Sequence, residues 1–258
     1  VRVIGHYMGG GFGSKLSADK YHLVAAVLAR LTARPVKLFL TREEAFLCVG
    51  NRPPATMRVK AGVRNDGTLT AMEMDVVGAS GGYPAGGASL VDWLVRDLYL
   101  CPNVRCTSTD VLTTTGPARA FRAPGHPQGA WALEQLIDEA AAAIGMDPVA
   151  LRVKNVPAFS QGRDNLPYST TGLKQCLEDG ARAFGWDAAR RQTPDKGPLK
   201  RGVGMAAGTW VAGAGGPPST VILKLFADGS ANLNMGASDI GTGTKTVMAM
   251  VVAEELAV

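Results

Sequence analysis

Glycine and proline cluster in three loops, each placed between a predicted strand and a predicted helix. The first loop comprises residues 8–14, the second residues 116–127 and the third residues 236–243. A helix N-terminus carries unpaired backbone N–H groups and about half a positive charge, and glycine lets a ligand approach such groups closely. The loops therefore suit a phosphate-bearing cofactor, and we expect them to lie near one another. For any one loop, an ordinary tight turn is the alternative.

The usual nucleotide-binding fingerprints do not match these loops. A P-loop requires Gly-Lys-Ser/Thr in direct sequence, whereas Ser14 separates Gly13 from Lys15. The first loop lacks the third glycine of the dinucleotide-binding motif, and so does the third loop around Gly241 and Gly243. The sequence therefore disfavours a nucleotide-binding enzyme of the Rossmann or P-loop type.

The histidines and cysteines do not form a metal-binding pattern. None of the 3 histidines pairs with another at zinc-ligand spacing. Cys101 and Cys106 have the spacing that opens a plant-type iron–sulfur motif, but Thr109 stands where the next cysteine is required. We therefore expect buried structural thiols and no metal held by protein ligands.

Composition excludes several classes of protein. Hydrophobic residues make up 46% of the chain and charged residues 19%, which is typical of a globular protein with a substantial core. The net charge is +5, but aromatic residues make up only 6%, so the stacking platforms of a nucleic-acid-binding protein are scarce. No apolar run reaches the roughly 18 residues that a membrane span requires. We expect neither nucleic-acid binding nor a membrane span.

Periodicity and turn residues predict a chain with both strands and helices. The expected fold class is α+β, with mixed sheets and packed helices. The strongest local signal is Asn65-Asp66-Gly67, which predicts a hairpin between strands at 55–64 and 68–77. Asp147-Pro148 has the residue types of a helix N-cap and first helical position. Further strands are predicted at 1–7, 36–40, 104–114, 202–210, 220–226 and 231–235, and further helices at 15–33, 128–144, 171–184 and 244–256.

A polar segment rich in proline and glycine, residues 187–200, is the candidate domain boundary. The sequence therefore predicts a first subdomain over residues 1–186 and the start of a second over residues 187–258.

Four stretches, taken in order, resemble the molybdenum hydroxylases, the family of xanthine dehydrogenase and aldehyde oxidase. Met8-Gly-Gly-Gly-Phe-Gly-Ser-Lys15 is similar to the GGGFG[GS]K loop of that family. Thr41-Arg-Glu-Glu44, followed by Asn51-Arg-Pro53, is the second stretch, and Ala120-Phe-Arg-Ala-Pro-Gly-His-Pro-Gln-Gly129 is the third. The fourth is Gly236-Ala-Ser-Asp-Ile-Gly-Thr-Gly243. The third and fourth most resemble the bacterial aldehyde oxidoreductase or isoquinoline oxidoreductase-like branch.

The resemblance implies a molybdopterin-binding large subunit with two subdomains, which hydroxylates a carbon using water. It implies molybdenum held by the dithiolene of a molybdopterin cytosine dinucleotide, and partner subunits that carry 2Fe-2S and FAD. Arg122 is the candidate catalytic residue, which would orient an anionic group; a loop-anchoring salt bridge is the alternative. The implied cofactor-binding residues are Gly11, Phe12, Gly13, Arg122, Ala123, Gly241, Thr242 and Gly243.

Departures from the family pattern bear on the substrate. Leu16 stands where purine-oxidising members have Glu, and Pro124 stands where they have Phe. Their substrate-binding Arg has no match near Leu90. An aldehyde or an aromatic N-heterocycle is therefore the expected substrate, with a purine as the alternative.

The family's general base, a Glu in a Gly-Val-Gly-Glu segment, has no counterpart in the chain, since Met205 follows Gly202-Val203-Gly204. We therefore expect an internal portion of a larger subunit, inactive by itself. A non-catalytic scaffold or assembly fragment of the same fold is the alternative. The expected location is the cytoplasm, with the periplasm as the alternative.

Overall fold

The computed structural model describes residues 2–5, 8–84, 86–191, 197–210 and 220–257. The helices are α1 (Lys20–Thr32), α2 (Arg42–Cys48), α3 (Ala88–Val91), α4 (Trp93–Asp97), α5 (His126–Ala143), α6 (Pro148–Lys154), α7 (Leu173–Phe184), α8 (Trp186–Arg190) and α9 (Thr244–Leu256). The strands are β1 (Ala55–Val63), β2 (Leu69–Gly81), β3 (Val104–Leu112), β4 (Phe159–Ser160), β5 (Leu166–Pro167), β6 (Val221–Leu225) and β7 (Ala231–Met235). The chain forms two compact units, a larger one of Leu40–Trp210 and a smaller one of Val1–Phe39 with Val211–Val258.

The larger unit is built on a mixed sheet in the order β1-β2-β3. β1 and β2 form the predicted antiparallel hairpin, and Gly67 takes φ +85° in its turn, a conformation that glycine adopts without a steric penalty. β3 runs parallel to β2 after a connection that contains α3 and α4. The predicted α+β class, with mixed sheets and packed helices, is confirmed.

The core of the larger unit lies between one face of the sheet and the helices. Alternate residues of β2, including Met72, Met74 and Val76, are buried, as a half-buried strand requires. They belong to one apolar cluster with Leu133 and Ile137 of α5. Because α5 begins directly after the second loop, this packing fixes the helix that positions the loop.

Asn155, at the end of α6, joins that helix to the hairpin turn. Its side-chain amide donates to the carbonyl of Gly67 at 2.9 Å and to that of Leu151 at 2.8 Å. Its side-chain oxygen accepts from the backbone N–H of Leu69 at 3.2 Å. These hydrogen bonds satisfy peptide groups that would otherwise be buried without a partner.

The smaller unit contains α1, α9 and the β6–β7 hairpin. Among the described residues, the buried hydrophobic side chains all lie in the larger unit. In contrast, the apolar stripe of α1, which includes Leu23, Val27 and Leu31, is exposed. No described helix has the length and apolar character needed to cross a membrane.

Several predicted elements or element boundaries were wrong. α1 begins at Lys20 and not at residue 15, because Asp19 and His22 form a capping box that starts the helix there. Residues 2–5, 36–40 and 202–210 form no strand, although their apolar patterns favoured one. Residues 1, 6 and 7 of the first of these predictions lie outside the described part. β2 extends four residues beyond its predicted end, and α2 was not predicted.

Candidate cofactor-binding loops

Hydrogen bonds within the first loop fix its shape. Ser14 donates both its backbone N–H and its hydroxyl to the carbonyl of Gly11, each at 2.9 Å. Lys15 donates its ammonium group to the carbonyls of Met8 at 3.1 Å and Gly10 at 2.8 Å. The lysine therefore spans the loop and holds its carbonyls on one side.

The backbone of the first loop is left-handed at Phe12, with φ +50°, and at Gly13, with φ +95°. A positive φ is uncommon for a residue with a Cβ atom, and such residues cluster at functional sites. The Phe12 side chain is 59% exposed. Gly11 is buried. The loop does not open α1 directly, because that helix begins at Lys20 with its own cap.

The third loop precedes α9 and is organised by Asp239. The Asp239 carboxylate accepts from the backbone N–H groups of Gly241 at 2.8 Å, Gly243 at 3.3 Å and Lys245 at 3.4 Å. These bonds, that of Gly241 above all, lower the pKa of Asp239. The Asp239 carboxylate therefore already accepts hydrogen bonds from N–H groups that were predicted to bind a phosphate.

The first and third loops touch through their glycines, within the smaller unit. A Cβ atom added at Gly241 would lie 2.8 Å from the backbone nitrogen of Gly10 and 3.0 Å from its Cα. Real Cβ atoms do not approach backbone atoms so closely, so only glycine fits at position 241. This contact brings Gly241 to the loop that carries Gly11, Phe12 and Gly13. The proximity of the second loop to this pair stays a prediction.

The second loop, in the larger unit, ends at the N-terminus of α5. Ala123 has φ +59° and Gly125 has φ +77°. α5 has no side-chain cap and no acidic residue in its first turn. The Arg122 side chain is exposed, and within the described residues it makes no hydrogen bond or ion pair. The loop-anchoring salt bridge considered for Arg122 therefore has no partner in this part of the chain.

Arg52 clamps the second loop. Its guanidinium donates to the carbonyl of Arg122 at 2.8 Å, to that of Ala123 at 3.4 Å and to the side-chain oxygen of Gln128 at 3.4 Å. The guanidinium carbon lies 4.8 Å from the centre of the Phe121 ring, a favourable cation–π distance. Burial lowers the pKa of Arg52. The sequence marked this arginine only as part of a family-like stretch, without a role.

His126, the first residue of α5, is buried with one ring nitrogen unpaired. Its Nδ1 lies 3.0 Å from the carbonyl of Pro124, which can only accept, so Nδ1 carries the proton. In the neutral imidazole Nε2 is then an acceptor, and it has no hydrogen-bond partner among the described residues. The ring packs at 4.5 Å, centre to centre, against Trp210.

A buried ionic network supports α5 below the second loop. Glu134 accepts from the hydroxyl of Tyr99 at 2.7 Å, from Nε of Arg152 at 2.8 Å and from the backbone N–H of Ala207 at 2.6 Å. Arg152 also pairs with Asp138 at 2.7 Å. Burial, followed by the charge of Glu134, raises the pKa of Tyr99. The network joins Tyr99, Arg152 of α6 and the backbone at Ala207 to α5, which is a structural role.

The loops fit an anionic group at some points and not at others. The Arg122 guanidinium, which has no partner within the described residues, and the N-terminus of α5, which has no side-chain cap, favour such a group. Asp239 disfavours one at the N–H groups that it occupies. In the described part of the chain no three His, Cys, Asp or Glu side chains are grouped as metal ligands.

Comparisons with known proteins match the chain over nearly its whole length. A family model described as a molybdopterin cofactor-binding domain matches residues 1–156, and a second model of the same description matches residues 179–258. The chain is 35% identical to the putative xanthine dehydrogenase molybdenum-binding subunit XdhA of Escherichia coli K12, which covers 100% of this chain and 36% of that protein. It is 33% identical to the aldehyde oxidoreductase molybdenum-binding subunit PaoC of the same strain, covering 100% of this chain and 35% of that protein.

A solved structure agrees with these relatives. The aldehyde oxidoreductase from Desulfovibrio gigas superposes with a TM-score of 0.75 at 32% identity, covering 88% of this chain and 25% of that chain. The chain thus spans about a third of the length of the two E. coli relatives.

Proposed function

The chain belongs to the molybdopterin cofactor-binding domain family, and from this premise we propose that it forms part of the catalytic subunit of a molybdenum hydroxylase. The proposed reaction oxidises an aldehyde or an aromatic N-heterocycle with water as the source of oxygen. The observation that carries this proposal is the match of two cofactor-domain models, which together include all three glycine loops. When bound, the cofactor supplies a molybdenum centre that takes up two electrons from the substrate.

The residues of the chain have two proposed tasks. Backbone groups of Gly11, Phe12, Gly13 and of residues 241–243 hold the cofactor where the first and third loops meet. Arg122 and Ala123 hold it from the second loop, and the exposed Arg122 guanidinium orients an anionic group of the cofactor or the substrate. None of these side chains is assigned the part of general base.

The cofactor form and the partners extend the same proposal. The cofactor is molybdopterin cytosine dinucleotide, and the electrons leave to an iron–sulfur subunit with 2Fe-2S and a subunit with FAD. The E. coli relatives are named as molybdenum-binding subunits, which supports a division of redox groups among chains. The proposed subdomains remain residues 1–186 and 187–258, and the proposed location is the cytoplasm, with the periplasm as the alternative.

The substrate class rests on two positions and not on overall similarity. Identity to the xanthine dehydrogenase relative, 35%, and to the aldehyde oxidoreductase relative, 33%, is nearly equal. Leu16 is exposed and Pro124 is half-buried, and neither side chain can hydrogen-bond or stack as the Glu and Phe of purine-oxidising members do. This favours an aldehyde or an N-heterocycle over a purine.

Metal and nucleotide analysis tests the proposal. The complete subunit, expressed with its partner subunits, is digested, and molybdenum and cytidine nucleotide are measured per chain. We expect both in equal amount. A folded protein with neither would contradict the enzymatic proposal and support a scaffold of the same fold.

A further inference from the structure

We propose that Arg52 is a positioning residue, which holds the peptide groups of Arg122 and Ala123 in the orientation that cofactor binding requires. The inference rests on the proposed function, in which the second loop binds the cofactor. Arg52 itself touches the loop backbone and is assigned no contact with substrate or cofactor.

The Arg52 side chain hydrogen-bonds to two consecutive peptide carbonyls. The guanidinium fork donates to the carbonyls of Arg122 and Ala123 from its two terminal nitrogens, at 2.8 and 3.4 Å. Its carbon lies 4.8 Å from the centre of the Phe121 ring, the side chain that precedes both. Three successive residues of the loop therefore contact one planar cation. A planar fork of fixed geometry can do this, and a lysine ammonium cannot.

The loop needs such a clamp because Ala123 is left-handed. A φ of +59° is unfavourable for a residue with a Cβ atom, and it persists only where the surroundings determine it. Holding the Ala123 carbonyl fixes the peptide plane on one side of this residue. Without the clamp, the loop would relax toward ordinary backbone conformations and the Arg122 side chain would change direction.

The two residues next to Arg52 in sequence, Asn51 and Pro53, are also held by hydrogen bonds. Asn51 donates its backbone N–H to Pro117 at 3.2 Å and accepts from Arg119 at 2.8 Å. On the other side, the Gln128 side chain donates to the carbonyl of Pro53 at 3.0 Å. Arg52 is therefore held between two points that bracket the second loop.

Arg52 also brings a positive charge that the described residues do not neutralise. Its acceptors are two carbonyls and an amide oxygen, all uncharged. Together with Arg122, whose side chain has no partner in this part of the chain, it places two cations at one loop. A loop of this charge favours an anionic group.

The test uses the complete subunit assembled with its partners. The variants are Arg52→Lys, which keeps the charge but loses the fork, and Arg52→Gln, which loses both. The matched controls are Arg58→Lys and Arg58→Gln, at an exposed arginine of β1 opposite Asp75. Molybdenum per chain, the melting temperature, kcat and KM with an aldehyde, and the Mo(V) electron paramagnetic resonance signal are measured for each.

We expect kcat per bound molybdenum to fall about tenfold or more in both Arg52 variants, because a misplaced loop misaligns the reacting groups. KM should stay within about twofold, and the Mo(V) signal should change shape. The Arg58 variants should match the wild type in all readouts. A role in folding alone would lower the melting temperature and the yield but leave kcat per molybdenum and the signal unchanged.

The outcomes separate the two proposals. Wild-type protein without molybdenum overturns the proposed function and, with it, this role of Arg52. Molybdenum in the wild type, with wild-type kcat and signal per molybdenum in the Arg52 variants, overturns the positioning role alone. An equal loss in the Arg58 variants, or failure of both Arg52 variants to fold, overturns it as well.

Discussion

Gly241 lies at the contact between the first and third loops, directly against the backbone of Gly10. Its φ of +97° is one that residues with a Cβ atom rarely adopt, and the space for a Cβ atom is filled by the backbone of Gly10. The two constraints are independent of each other. The nearest atoms belong to the backbone of Gly10, so the shift of a side chain cannot make room for a Cβ atom. Close backbone approach of this kind is the physical reason for glycine here.

Replacement of Gly241 by alanine should separate the two loops and lower cofactor retention. The left-handed conformation alone costs roughly 1–3 kcal/mol, and the collision with Gly10 adds to it. We expect molybdenum per chain in the complete subunit to fall about tenfold or more. The control is Gly236→Ala, where a Cβ atom meets nothing within 4 Å. Equal molybdenum content in the two variants would contradict the expectation.

Leu16 and Pro124 determine the prediction for substrate choice. A purine bound without a Glu and a stacking Phe leaves ring nitrogens and a carbonyl unpaired, and each unmet hydrogen bond costs about 1–3 kcal/mol. Two such losses lower kcat/KM by about 10² to 10⁴. We expect benzaldehyde or isoquinoline to be oxidised much faster than hypoxanthine by the complete enzyme with an artificial acceptor. Hypoxanthine as the best of the three substrates would refute this interpretation.

At the scale of elements, α5 is held by charges as well as by apolar packing. Glu134 receives three donors, from Tyr99, Arg152 and the backbone of Ala207, and it is almost fully buried. A buried ion pair gives little net stability compared with an apolar pair, but removal of one partner leaves the other buried and uncompensated. Asp138 compensates part of the charge of Arg152.

The substitution Glu134→Gln should therefore destabilise the larger unit by about 3 kcal/mol, the lower end of the range for breaking a buried ion pair. The measurement is urea unfolding followed by the fluorescence of tryptophan. Glu139→Gln, an exposed position of the same helix, should change stability by less than about 0.5 kcal/mol. A loss below about 1 kcal/mol in Glu134→Gln would show that the network is not needed.

Sequence patterns predicted those elements whose signals are local. The hairpin around Gly67 and the helix that Asp147 caps depend on turn and cap chemistry within a few residues, and both are present. The expected strands at 36–40 and 202–210 depended on apolar content alone. That content does not specify a pairing partner, which is a long-range property, and neither segment pairs in the structure.

The same distinction between local and long-range signals holds for the candidate site. Short glycine stretches marked the loops, but the sequence could not show that Asp239 occupies the N–H groups of the third loop. It also could not show that Arg52 reaches across to Arg122, because residues so distant in sequence are brought together only by the fold.

At the scale of the whole molecule, the two units differ in how their apolar residues are used. The buried hydrophobic side chains of the described residues lie in the larger unit, while α1 and the β6–β7 hairpin of the smaller unit expose theirs. Local stability follows buried apolar contacts. The described part of the smaller unit therefore has little apolar packing to resist local opening.

Hydrogen exchange should reveal this difference in the 258-residue chain. We expect amides of α1 to exchange at least about a hundredfold faster than amides of α5, because apolar side chains of α5 are buried whereas those of α1 are exposed. Mass spectrometry of peptides from the two helices measures the ratio. Because both are regular helices of 13 and 18 residues, equal protection would mean that burial does not set their stability.

The bond between Asn155 and the hairpin turn has a consequence for the order of events during synthesis. β1 and β2 leave the ribosome next to each other in sequence and can pair at once. The peptide groups of Gly67 and Leu69, however, obtain their side-chain partner only when residue 155 emerges. Until then, these groups must form their hydrogen bonds with water, so the turn stays at the surface of the nascent chain. The larger unit can bury its hairpin only after α6 has been made, and a chain released before that point would expose a ready-made strand edge to aggregation.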